Sequence, residues 1–195
     1  MPEKFNELYE FVQTQSPRIS RALLVPKIKE ITGEDFVTQM FGFDINLLRG
    51  FFLSAAIPNP HWRVVQVGGD KHVILIARGM TYCWTRFVQV KEMMHLFDSE
   101  VEKTSTGSEV EDLLTELAGP ANPAKISRYH ESEYKAMWMA LAVLCPEKER
   151  AVYARKREAG MSDFDIADEL KIPEQFISSL LGDKYKDIIQ EILDE

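Results

Sequence analysis

Apolar residues return at helical intervals from Glu3 to about Gln15, where Phe5, Leu8, Tyr9 and Val12 share one face. The Ser16-Pro17 pair breaks that pattern and opens a second helix through Ile19, Leu23, Leu24 and Ile28, which Thr32-Gly33 ends. A further apolar segment runs from Phe36 to Ala56, and Pro58-Asn59-Pro60 forces a turn after it. The period then changes. Trp62 to Val67 and His72 to Ala77 are rich in Val and Ile and flank Gly68-Gly69-Asp70-Lys71, which predicts a β-hairpin. Tyr82 to Phe97 contains no breaker, and Phe87, Val90, Met94 and Phe97 are spaced to share one face of a buried helix.

From His130 to Cys145 the chain is more apolar still. Lys135 is the only charge between Lys135 and Cys145, so this helix belongs in the centre of a core. Pro146 stops it, Glu147 to Glu158 forms a charged amphipathic helix, and short helices after Gly160 end in Ile188, Ile189 and Ile192. The pattern predicts an α+β domain, mostly helical, with a small hairpin or sheet. Residues 1–146 form its core, and 147–195 form a helical extension packed on that core as one compact unit.

Composition narrows the function classes. The 195 residues are 45% hydrophobic and carry 31 acidic against 23 basic side chains, a formal net charge of -8 that disfavours general attraction to nucleic acid or anionic membrane. The acid is concentrated: Asp98 to Glu116 holds seven Asp or Glu against one Lys, and Thr104–Ser108 and Gly119–Pro123 read as turning chain. Cys83 and Cys145 are too few and too far apart for a disulfide scaffold or a cysteine zinc site, and both read as small core residues. The first residues are charged and amphipathic, and the longest apolar run is about half of what a bilayer requires, so the expected location is cytoplasmic without membrane contact.

Of the four histidines, His95 alone sits in a suggestive pattern, Lys91-Glu92-Met93-Met94-His95. A zinc peptidase presents two imidazoles at i and i+4 on one helical face, with a Glu beside the first to deprotonate the bound water. Glu92 and His95 have that relation, but the first ligand position is Lys91, whose ammonium is repelled by a divalent ion.

Three segments extend the pattern. Arg86 to Phe97 resembles the "RFTxAHELGHLL" segment of the ImmA/IrrE metallopeptidase family, and Lys135 to Pro146 fits the register of its "EAxxFAxxLLxP" signature. Ile166 to Pro173 looks like the helical piece that follows in that family. The resemblance spans Trp62 to Gly182 and implies a zincin-like core with a partner-cleaving ancestry. It places the first zinc histidine on Lys91, the general base on Glu92, the second histidine on His95 and the third ligand on Lys135.

Two of those three ligand positions are lysines, so neither a catalytic site nor a bound cofactor is expected, and Glu92 is a remnant. An altered zinc site would need His95 with a redirected group from the start of the second helix, Glu131 first, or Glu133 or His130. The two ammoniums carry the charge of one zinc ion and would pair with Glu92 and with Glu131 or Glu133. The family relieves repression by cleaving a helix-turn-helix transcription regulator in bacteria and phages. A member without its ligands reads as a pseudo-enzyme that binds such a protein, with a homo-oligomer left open and the active metallopeptidase as the alternative.

A third reading comes from Asp165 to Leu181, which has the rhythm of a helix-turn-helix. Met161 to Tyr185 carries six acidic and two basic residues, however, a net of -4 that opposes DNA binding. Arg155-Lys156-Arg157 lies among Glu147, Glu149 and Glu158 and reads as a solvated face.

Overall fold

The computed structural model describes residues 2–15, 19–42, 44–55, 69–99 and 128–195. Two helices open the chain, α1 (Pro2–Gln13) and α2 (Arg21–Thr32), and their buried faces are those the spacing predicts: Phe5, Leu8 and Val12, then Leu24 and Ile28. Ser20 caps α2 by accepting from the Leu23 N–H at 3.2 Å, and Gly33 closes it in a left-handed conformation with its N–H on the Lys29 carbonyl.

The apolar segment after Phe36 forms two strands, β1 (Phe36–Phe41) and β2 (Gly50–Leu53), and His72–Ala77 forms β3. Strand β3 is central, parallel to β1 and antiparallel to β2 in the order β1-β3-β2. All six β3 residues are buried, which is the continuous apolar run of a strand covered on both faces. The expected pairing of β3 with Trp62–Val67 lies outside the described residues, as do the acidic stretch beyond Ser99 and the Gly119–Pro123 turn. What flanks β3 is β1 and β2, a pairing between segments that no local turn signal announces.

Helix α3 (Tyr82–Met94) is capped by Thr81 and runs into a 3₁₀ turn at His95–Phe97. Helix α4 (Arg128–Leu144) is the central helix, with Ala136 and every residue from Trp138 to Leu144 buried. It packs on α3, α1 and the last helix. After Pro146 come α5 (Glu147–Glu158), α6 (Asp163–Leu170), a 3₁₀ turn (Glu174–Phe176), the one-turn α7 (Ile177–Leu180) and α8 (Tyr185–Asp194). This is the α+β class expected from the pattern, mostly helical, with a small mixed sheet. No helix among the described residues is long and apolar enough to cross a membrane.

Arg86 ties the C-terminal helices to the rest. Its guanidinium donates to the Leu170 and Lys171 carbonyls at 3.0 Å each and to the Ile19 carbonyl at 2.8 Å. Helix α8 lies against α1 and α4, and Asn6 donates to the Leu193 carbonyl at 3.0 Å.

Sheet and helix approach closely at Gly50, where a Cβ would stand 2.3 Å from Val88 Cγ1 and 2.7 Å from Glu92 Oε1. Only hydrogen fits between β2 and α3 at this point. Gly50→Ala is expected to lower the unfolding free energy by about 1–3 kcal/mol, the usual cost of overpacking a closed interior, as read from urea denaturation.

Candidate functional site

The facing surfaces of α3 and α4 bring five ionisable or polar groups together: Lys91, Glu92 and His95 from the end of α3, and Ser132 and Glu133 from the first turns of α4. Asp98 joins them because the 3₁₀ turn His95–Phe97 places residue i+3 back over residue i. Its carboxylate Oδ2 lies 2.7 Å from His95 Nδ1 and accepts from the Ser132 hydroxyl at 2.7 Å, while Ser132 Oγ also lies 3.1 Å from His95 Nδ1. These contacts fix the ring, and its other nitrogen, Nε2, points inward. It lies 3.2 Å from Glu133 Oε1 and 3.8 Å from Glu92 Oε2.

The Lys91 ammonium crosses the remaining gap. It lies 2.8 Å from Glu92 Oε1 and pairs with Glu133 through Oε2, so one cation joins carboxylates from two helices. Glu92 is only 1% exposed, and neither of its oxygens has a partner in hydrogen-bonding geometry. Burial therefore raises its pKa, and the neighbouring Lys91 offsets this only in part. Burial acts against charge on Lys91 and His95 too, but there the carboxylates win: Glu133 and Glu92 hold the lysine above its ordinary value, and Asp98 with Glu133 raises His95 to about 10. Glu133 is held below the usual carboxylate range, because Lys91 and His95 outweigh its own burial. Pairing thus favours the charged forms of Lys91, His95 and Glu133, while burial disfavours that of Glu92.

A groove of about 270 Å³ opens onto this cluster. Trp84, Phe87 and Phe176 form an aromatic wall, with Phe87 and Phe176 stacked at 4.3 Å. Leu47, Leu48, Gly50 and Phe51 face it from the loop before β2 and from β2 itself, and Lys91, Glu92 and Glu133 form the floor. At the mouth the Arg49 guanidinium lies 4.0 Å from the centre of the Trp84 ring, a cation–π contact.

The residues singled out by sequence separate into two sets. Lys91, Glu92 and His95 meet at one point. Lys135 does not join them: its ammonium pairs with the Glu195 side chain near the C-terminal end of α8. Glu131, the first alternative ligand, is exposed, and the His130 side chain lies outside the described residues. Residues 131 and 135 share a helical face, and the face turned to His95 is that of 132, 133 and 136. Glu133, not Lys135, is the α4 side chain that meets Lys91 and His95. Asp98 and Ser132 were missed by sequence reasoning, although Asp98 at i+3 from His95 was a readable signal.

The metal implied by the resemblance can be tested on these atoms. Glu92, His95 and Glu133 offer ligand atoms within 4.8 Å of one another. With Lys91 present the donor set does not fit a divalent ion, because its ammonium already engages both carboxylates and a second cation would be repelled across a distance of a few ångströms. As it stands, the site is an internal ion cluster.

The other candidates have structural roles. Burial pushes the Cys145 thiol up to about 12, which leaves no thiolate for nucleophilic chemistry. Lys156 pairs with Glu169 at 2.6 Å and Arg157 with Asp163 at 2.7 Å, so the basic run of α5 fastens α6. In the helix-turn-helix-like tail the second element is a three-residue 3₁₀ turn followed by the four-residue α7, and Phe176 is turned into the groove wall.

No family model, no curated protein and no solved structure matches this chain.

The His95 shift has a pH consequence. Its pKa rises on folding from the ordinary value near 6.5 to about 10. The stabilisation is complete below pH 6.5 and is lost as pH climbs through 10. Unfolding free energies from urea titrations at pH 6.5 and 9.5 are expected to fall more steeply for the native chain than for His95→Gln.

Proposed function

We propose that this protein is a peptidase-like regulatory module without catalytic activity, which uses the groove between β2 and α3 to bind a protein partner. The observation that carries the reading is Lys91, whose ammonium joins Glu92 and Glu133 at the floor of the groove. A hydrolytic site needs an activated water and a group to polarise the scissile carbonyl. Here the charges that would do this work neutralise each other, while the apolar walls above them remain suited to holding a side chain.

The likeness of the α3 and α4 segments to ImmA/IrrE peptidases suggests the partner class. We assign it as a helix-turn-helix transcription regulator of bacterial or phage origin, bound and left intact. In antiparallel β2 the Arg49 carbonyl accepts from the Ala77 N–H at 2.9 Å, so Gly50 falls at the alternate position, with its own N–H and carbonyl directed away from β3. An extended partner segment laid beside Gly50 would meet those groups and place its side chains over the aromatic wall. Such a protein carries no cofactor, and direct contact with nucleic acid is opposed by the acidic tail.

A second reading, an active metallopeptidase with an altered ligand set, has one observation in its favour: the proximity of Glu92, His95 and Glu133. The two readings separate in one experiment. The chain is mixed with helix-turn-helix transcription regulators from its own genome, with and without added zinc, and followed by gel filtration and mass spectrometry. A stable complex containing full-length regulator is the expected result. Zinc-dependent cleavage would establish the enzyme instead, and absence of both complex and cleavage would remove the proposed partner class. Leu47 is 66% exposed and lines the groove, so Leu47→Asp should leave stability within about 0.5 kcal/mol. The same change should weaken the complex about tenfold or more if Leu47 is an interface anchor, measured by calorimetry.

A further inference from the structure

On the face of α3 opposite the groove lies a second pocket, of about 220 Å³, and cations line it. Trp84, Phe87 and Lys91 turn toward the groove, whereas Thr85, Arg86 and Gln89, about half a helical turn round, turn toward this pocket. Its other walls are the start of α2, with Ser20 and Arg21, and the end of α6, with Lys171. Three positive side chains from three separate elements thus border one cavity, and no Asp or Glu among the described residues lines it. In a chain of net charge -8, that is the reverse of the general balance.

The cations are held in place around this cavity. Arg86 is only 9% exposed, and its bonds to the Leu170, Lys171 and Ile19 carbonyls fix it at the base. The Arg21 guanidinium donates to Oε1 of Gln89, a neutral amide that is itself buried, so the contact orients the guanidinium without cancelling its charge. Lys171 pairs with Asp168 at 2.7 Å, but the Asp168 side chain is 68% exposed and outside the lining, and an exposed pair of this kind is weak enough to yield to a bound anion. Lys171 is also the one described non-glycine residue with a positive φ, 55°, at the C-cap of α6 where glycine is usual. A lysine there accepts backbone strain and sets an ammonium beside the two guanidiniums.

We propose that this pocket binds a phosphate group, either the free ion or the end of a small phosphomonoester. A compact dianion matches a cluster of three cations better than a monoanion does. The planar guanidinium of Arg21 suits two phosphate oxygens at once, Lys171 acts as a point charge, and the Ser20 and Thr85 hydroxyls add neutral donors. The first turn of α2 borders the same space, and its positive dipole end acts in the same direction. The cavity has the volume of several water molecules, more than a bare phosphate fills, and the exposed Tyr82 ring lines it where an attached organic group would lie.

The test titrates the full chain at low ionic strength with inorganic phosphate, glycerol 3-phosphate and acetate, followed by calorimetry and by melting temperature. The native chain is expected to bind one phosphate with a Kd of about 1 mM or tighter. Acetate should bind at least about tenfold more weakly. Tighter binding of glycerol 3-phosphate than of inorganic phosphate identifies an ester as the natural occupant, and the reverse order identifies the free ion. Arg21→Gln and Lys171→Gly should each weaken phosphate binding about tenfold or more. Glycine suits the left-handed position at 171, so Lys171→Gly should melt no lower than the native chain without phosphate. Arg155→Gln, in the exposed basic run of α5, should leave binding unchanged. A native chain that binds neither phosphate probe would overturn the inference. So would acetate bound as tightly as phosphate, affinity unmoved by both pocket variants, or an equal loss in Arg155→Gln.

Discussion

The seam between α3 and α4 is closed by a single ammonium. Lys91 reaches from one helix to a carboxylate on each, at the floor of a groove that Val88 and Met137 also line. A buried charge is tolerated only when it is matched, and most of this cluster is paired: Glu133 with Lys91 and His95, His95 with Asp98, Asp98 with Ser132, while Glu92 lies beside Lys91 without a hydrogen bond. Removing one member leaves the others uncompensated. The helices are therefore held in register by apolar packing along most of their length and by charge at one end, and the end closed by charge is the one beneath the groove.

That arrangement bears on the chemistry the groove floor can offer. Catalytic acids and bases work when their pKa values are poised apart near the operating pH. Here mutual pairing drives His95 and Lys91 upward and Glu133 downward, away from neutrality, while Glu92 alone is raised by burial. The floor of the groove is charged and paired within itself. Its walls, in contrast, are apolar and partly exposed, with Leu47, Trp84 and Phe176 available to a visiting side chain.

The helices were legible because their apolar positions recur with period 3.6 over two turns or more, and because Thr32-Gly33, Pro146 and Gly160 punctuate them; the Ser20 cap of α2 was not read from the sequence, which placed the helix start at Ser16-Pro17. The sheet was less legible. Its central strand was recognised from its Val and Ile content, but β1 and β2 are short and lie within one apolar stretch, and pairing across such separations is decided by tertiary packing, which leaves no turn signal. At the site, Glu92 and His95 could be read from spacing alone. Glu133 could not be preferred over Glu131 or Lys135, because that choice depends on the rotation of α4 about its axis. The burial pattern decides it: Ser132 and Ala136 face inward, and Glu131 faces solvent.

Arg86 bears on how the molecule is divided. Its hydrogen bonds reach Ile19, near the start of the chain, and Leu170 and Lys171, past the Pro146 boundary that separates core from extension in the sequence. Phe176, six residues beyond that anchor, is one wall of the groove, and Lys91, five residues beyond Arg86 on α3, is part of its floor. One side chain thus ties the segment that ends in Phe176 to the helix that carries Trp84, Phe87 and Lys91. The groove is the product of both segments, so changes in the C-terminal helices could reshape its opening without touching the ionic floor.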